Sequence, residues 1–158
     1  MTIGFILNGE DVIVECGPDL RLIDILKDKF SLHGAKAGCY MGHCGSCTVI
    51  FNGEIVNSCL IPAFRIRNSE IITIEGISQT DEYQDIILGF TEAGLENCGF
   101  CNTGKILAAE ALLGRNSQPS TDEIHAAFQG IKCRCTDSDE LIQAVMAVAE
   151  NRMRRLNG

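Results

Sequence analysis

The spacing of the cysteines constrains this chain more than any other feature. Nine cysteines occur among 158 residues, and eight of them fall into two sets of four. Cys39, Cys44 and Cys47 form a C-x4-C-x2-C run that is followed, after eleven residues, by Cys59; Cys98 and Cys101 form a C-x2-C pair, and Cys133 and Cys135 a later C-x-C pair. The chain opens Met1-Thr2-Ile3-Gly4-Phe5, and its first basic residue is Arg21, so a secretion signal is not expected and a cytoplasmic location is. Thiols in that compartment stay reduced, which points the cysteines toward metal ligation or redox work and away from a disulfide framework.

The first three cysteines match the spacing of a plant-type 2Fe-2S loop. A loop wrapped around a cluster must turn its thiolates inward and aim backbone N–H groups at the sulfurs, and glycine permits that close approach. Gly34, Gly38, Gly42 and Gly45 punctuate the segment here; a structural zinc loop has less need of them. In the second set each pair precedes a predicted helix, so its thiolates fall near helix N-termini. A cluster of two ferric ions, two sulfides and four thiolates is a dianion and becomes a trianion on reduction, and the positive end of a helix dipole favours both. Taken alone this second spacing also suits tetrahedral zinc, and the glycine-rich first set shifts the balance to iron. His33, His43 and His125 are scattered singly and read as surface or core residues, since all eight cysteine places are filled. Cys16, left over, reads as a small apolar residue near a strand end.

Patterning divides the chain. Two short strands flank Asn8-Gly9, two more flank Asn52-Gly53, and Ile71-Ile72-Thr73-Ile74 supplies another; Asn-Gly readily takes the positive φ that tight hairpins need. Asp19 is the expected cap of a helix carrying Leu20, Ile23, Ile25 and Leu26. Glu75 to Asp81 reads as a linker, after which helical periodicity replaces β alternation, with helices expected over 82–95, 103–114, 121–129 and 138–154 and a cap at Ser120 or Thr121. The fold class is therefore α+β: a small mixed domain over residues 1–76 and an all-helical one over 82–158. Domains that small are marginal on burial alone, and metal staples would compensate.

With 13 Lys and Arg against 21 Asp and Glu, the formal net charge is −8, which argues against nucleic-acid binding. The closing Arg152, Arg154 and Arg155 read as a helix C-terminus complementing the macrodipole. No apolar run approaches the ~18 residues of a membrane span, and no nucleotide-binding glycine fingerprint or paired catalytic carboxylate is evident. No catalytic residue is assigned.

The two cysteine sets, in this order and at these spacings, closely resemble the small iron-sulfur subunit of the molybdenum hydroxylases, the family of xanthine dehydrogenase and aldehyde oxidoreductase. The likeness covers nearly the whole chain and rests on Gly38-Cys39 through Cys47, on Asn97-Cys98-Gly99-Phe100-Cys101 and on Cys133-Arg134-Cys135-Thr136, with echoes at Leu22-x2-Ile25-Leu26 and Gly104. It implies a ferredoxin-like (β-grasp) N-terminal domain, a C-terminal four-helix bundle, and two 2Fe-2S clusters held by the eight cysteines. It also implies partners: a large subunit whose molybdopterin hydroxylates a carbon centre with oxygen from water, and a medium subunit that binds FAD. Electrons would run from the pterin, nearest Cys135, to the set at Cys98, Cys101, Cys133 and Cys135, then to the set at Cys39, Cys44, Cys47 and Cys59, and on to the flavin. The sequence departs from the family pattern beside the second set. Asn97 stands for the usual Gln, Asn102-Thr103-Gly104 for Thr-Pro-Gly, and Asp137-Ser138 for the Gly-Tyr after Cys-Thr. The competing readings are a free-standing two-cluster electron carrier and a zinc-stapled interaction module.

Overall fold

The computed structural model describes residues 1–95, 102–131 and 136–158. Cys98, Cys101, Cys133 and Cys135 lie outside those residues, as do Asn97 and the rest of both cysteine-pair segments.

Five strands, β1 (Thr2–Leu7), β2 (Glu10–Glu15), β3 (Thr48–Phe51), β4 (Glu54–Asn57) and β5 (Glu70–Ile72), form one sheet in the order β2-β1-β5-β3-β4. The β1/β5 pair is parallel; the other pairs are antiparallel. Both predicted hairpins are present, with Asn8 and Gly9 at φ 52° and 84° and Asn52 and Gly53 at 49° and 86°, the positive pair that such two-residue turns require. The two asparagines also reach across the sheet. The Asn8 carboxamide accepts from Thr73 N–H at 2.8 Å and donates to the Thr73 hydroxyl at 3.0 Å, and Asn52 Oδ1 accepts from Glu70 N–H at 2.8 Å.

Successive strand side chains alternate between the faces of a sheet, and here both faces are apolar. Val49 and Ile71 join one hydrophobic cluster, with Phe5 and helix α1 (Leu22–Phe30). Ile50, the neighbour of Val49, joins the other, with the helices of the second half. Each such residue contributes about 1.5–3 kcal/mol on burial. The sheet is therefore a shared wall between α1 and the helical half.

Helix α1 starts later than expected. Its N-cap is Arg21, with no side-chain cap; Arg21 instead forms an isolated bridge to Pro62, so a long-range pairing sets the boundary that local reasoning assigned to Asp19. The expected linker is also partly helical: α2 (Ile74–Ile77) makes one turn that buries Ile77. Four further helices follow among the described residues: α3 (Asp81–Glu92), α4 (Asn102–Arg115), α5 (Thr121–Ala127) and α6 (Ser138–Asn157). Ser120 and Glu123 form a reciprocal capping box on α5, and Asp137 and Glu140 another on α6. No described helix is long and apolar enough to cross a membrane.

Helices α3 and α6 approach closely at Gly89, where an added Cβ would lie 2.6 Å from Val148 N and 2.8 Å from its Cα. A backbone cannot step aside as a side chain can. Gly89→Ala is expected to lose about 2 kcal/mol through overpacking, although alanine is the better helix former by about 1 kcal/mol. The shift in urea midpoint of the purified chain checks this.

The closing arginines do more than complement a dipole. Arg152 donates to Asp85 of α3 at 3.4 Å, to Glu110 of α4 at 2.8 Å and to the Glu82 carbonyl at 3.1 Å, and Arg155 reaches Asp85 at 2.9 Å. Arg154 is exposed and pairs with Glu150 one turn back on the same helix.

Candidate functional site

Of the eight predicted ligands, the described residues contain Cys39, Cys44, Cys47 and Cys59. The first three lie on the loop between α1 and β3, and Cys59 lies on a single 3-10 turn, Ser58–Leu60, just after β4. The hairpin β3–β4 thus carries Cys47 at its entry and Cys59 at its exit. Two hydrogen bonds hold these segments together: Ser58 donates to the Cys47 carbonyl through its N–H at 3.3 Å and its hydroxyl at 2.7 Å.

The four thiols meet as two pairs. Cys44 directs its N–H at Cys39 Sγ, and Cys47 and Cys59 pack in one buried cluster with Ile23. Thiols associated two by two fit a binuclear 2Fe-2S group, in which each iron takes two protein ligands.

The outer pair sits in a cradle of backbone N–H groups. Met41, His43 and Cys44 direct N–H groups at Cys39 Sγ over 3.4, 3.2 and 3.4 Å. These donors, Met41 foremost, hold the Cys39 thiol down to about 6. Cys44 Sγ meets the buried Ser46 hydroxyl at 2.8 Å. The inner pair is buried, and burial pushes Cys47 up to about 11; an electropositive centre is what would draw its proton off. Positive φ at Gly42 and Gly45, 76° and 75°, makes the cradle possible.

Three residues that sequence reasoning missed support this loop. Tyr40, between Cys39 and Met41, hydrogen-bonds to Asp24 of α1, and that carboxylate pushes the phenol up to about 12. Arg21 lies over the Tyr40 ring, 4.7 Å from its centroid, and donates to the Tyr40 carbonyl at 2.8 Å. None of these contacts follows from spacing, because each joins α1 to the loop. His33, His43 and His125 are exposed, and Cys16 packs half-buried against the α1 side of the sheet, as expected.

The loop also touches both segments that flank the second set. A Cβ on Gly104, three residues after Cys101, would come 2.9 Å from the Gly45 carbonyl oxygen, and a Cβ on Gly45 would lie 2.6 Å from Gly130 O and 3.0 Å from Ile131 Cα. Gly45 follows Cys44 directly, and Ile131 precedes Cys133 by two residues. Helix α4 starts at Asn102, immediately after Cys101, and α6 starts three residues after Cys135. A buried lysine, Lys105, lies on the first turn of α4 and donates to the hydroxyl of Thr136, the residue after Cys135, at 3.1 Å. A buried cation between these segments suits an anionic group nearby.

Residues 5–69 match the family described as "2Fe-2S iron-sulfur cluster binding domain", and residues 73–146 match the "[2Fe-2S] binding domain". The nicotinate dehydrogenase small FeS subunit of Eubacterium barkeri is 41% identical over 95% of this chain and 96% of its own length. Among solved structures, quinoline 2-oxidoreductase from Pseudomonas putida 86 matches with a TM-score of 0.84 at 36% identity, covering 98% of this chain and 96% of that one. The aldehyde oxidoreductase of Desulfovibrio desulfuricans gives a TM-score of 0.85 at 35% identity, but there the match covers 17% of a much longer chain. The two cluster-binding domains and near-complete coverage by a small FeS subunit place this chain in the 2Fe-2S subunit family of the molybdenum hydroxylases.

Proposed function

We propose that this chain is the electron relay of a cytoplasmic molybdenum-dependent hydroxylase or dehydrogenase, assembled with a large molybdopterin-binding subunit and a medium FAD-binding subunit. In this reading residues 1–76 hold one 2Fe-2S cluster, with Cys39 and Cys44 on one iron and Cys47 and Cys59 on the other. Residues 82–158 hold the second through Cys98, Cys101, Cys133 and Cys135. When bound, the clusters supply one-electron storage between the partner's pterin and the flavin.

One observation carries this reading: the first-set loop abuts, at Gly45, both segments that flank the second set, with spacings that leave no room for side chains. Two sites meant to exchange single electrons need such proximity, and separately folded staples would not. Met41 of the same loop and Leu60 of the turn after β4 are 65% and 56% exposed, and Leu60 lies against Gly42. Large apolar side chains exposed beside a redox site suit a docking surface, and this one would face the electron acceptor.

Gentle purification of the tagged chain from its host, with mass spectrometry and assays for iron, molybdenum and flavin, tests the assignment. Two larger chains with molybdenum and flavin are expected to accompany it. A chain that emerges alone with about four irons would be a free-standing carrier, and the relay within a molybdenum complex would fall.

A further inference from the structure

Lys105 is 1% exposed, on a helix turn otherwise made of Gly104, Ile106, Leu107 and Ala108. Among the described residues no carboxylate forms an ion pair with it; its ammonium donates to the Thr136 hydroxyl at 3.1 Å. The neighbouring Asp137 carboxylate accepts instead from Glu140 N–H at 2.8 Å, within the cap of α6. A buried charge costs free energy unless an opposite charge offsets it. Lys105 follows Cys101 by four residues in the sequence, and its partner Thr136 follows Cys135 directly. The ammonium of α4 is thus tied to the residue that directly follows Cys135 in the sequence.

We infer that Lys105 is the built-in countercharge of the second cluster and sets its reduction potential. The inference rests on the ligand assignment proposed above. One-electron reduction takes the centre from a dianion to a trianion with no bond made or broken. A fixed positive charge nearby stabilises the second state more than the first, so it raises the potential and makes this cluster the better acceptor. The Thr136 hydroxyl holds the ammonium in place and is a positioning group.

The test is a mediated dithionite titration of the purified complex followed by electron paramagnetic resonance, which reads each cluster separately. Lys105→Met keeps length and loses charge. It is expected to lower the reduction equilibrium constant of the second cluster at least tenfold, 59 mV for a one-electron couple, with the first cluster unmoved. Lys105→Arg is expected to restore most of the difference. An unshifted second signal in Lys105→Met with full iron content overturns the inference. Should that variant fail to retain iron, Thr136→Val is expected to shift the same signal about threefold in the same direction, and no shift there overturns it equally. A wild-type complex with only one paramagnetic cluster would sink the ligand assignment together with this inference, whereas two wild-type clusters indifferent to residue 105 sink the inference alone.

Discussion

Cys59→Ala is expected to reduce the iron content of the purified chain from about four atoms to about two and to remove one of two paramagnetic signals completely. The loss is of a whole cluster because the four thiols act as two pairs. Cys59 is 3% exposed and packs beside Cys47 at the open end of the β3–β4 hairpin. Without it, the inner iron keeps a single thiolate, and a binuclear centre does not survive on three ligands with one iron half-held. Cys47, already pushed up by burial, then remains a neutral thiol in the apolar pocket beside Ile23. The fold should survive, since Ser58 still bonds to the Cys47 carbonyl and the sheet and α1 core do not involve the thiol. Cys16→Ala is the control: it packs against that core, outside both sets, and should leave iron and acid-labile sulfide unchanged. Full iron in Cys59→Ala would remove this residue from the ligand set.

What could be read from the sequence was local, and what could not be read was long-range. The Asn8-Gly9 and Asn52-Gly53 turns were legible because positive φ is a demand on two residues alone. The Ser120 cap was legible because its Glu123 partner stands three positions on. The close approach of backbone N–H groups to a thiol of the C-x4-C-x2-C run was legible because one loop supplies both the cysteine and its donors. By contrast, α1 begins where Arg21 meets Pro62, 41 residues along the chain, and Asp19 lost to that pairing. The polar look of residues 75–81 hid one buried helical turn, because Ile77 is held by the helical core and not by its neighbours in sequence. Lys105 gave a faint signal, a lone cation in the run Ile106-Leu107-Ala108-Ala109, yet only the fold shows that it faces Thr136. The approach of Gly45 to Gly104 joins positions 59 residues apart and had no signature at all.

Arg152→Met should be the most destabilising change outside the cysteine sets, by about 3–5 kcal/mol. Arg152 is 8% exposed and ties α6 to two acids on two other helices, Asp85 of α3 and Glu110 of α4. Arg155 still reaches Asp85 at 2.9 Å when Arg152 is gone, so Glu110 becomes the orphan. Its carboxyl is already held above the usual range by burial, and the Arg152 contact is what pulls it back. In the variant it rises further, so between the unfolded carboxylate range and that higher value the folded chain binds more protons than the unfolded one. Stability then falls as pH rises through that window, and the deficit against wild type should be largest near pH 7 and narrow toward pH 5. Adding Glu110→Gln should recover much of the loss, because it removes the uncompensated charge that causes it. Urea unfolding of the three chains at both pH values reads all of this. A single variant within 1 kcal/mol of wild type, or a deficit that widens on acidification, would show that the arginine binds its acids without anchoring the helices, and the bundle would then depend on apolar contacts such as Phe90 and Val148 alone.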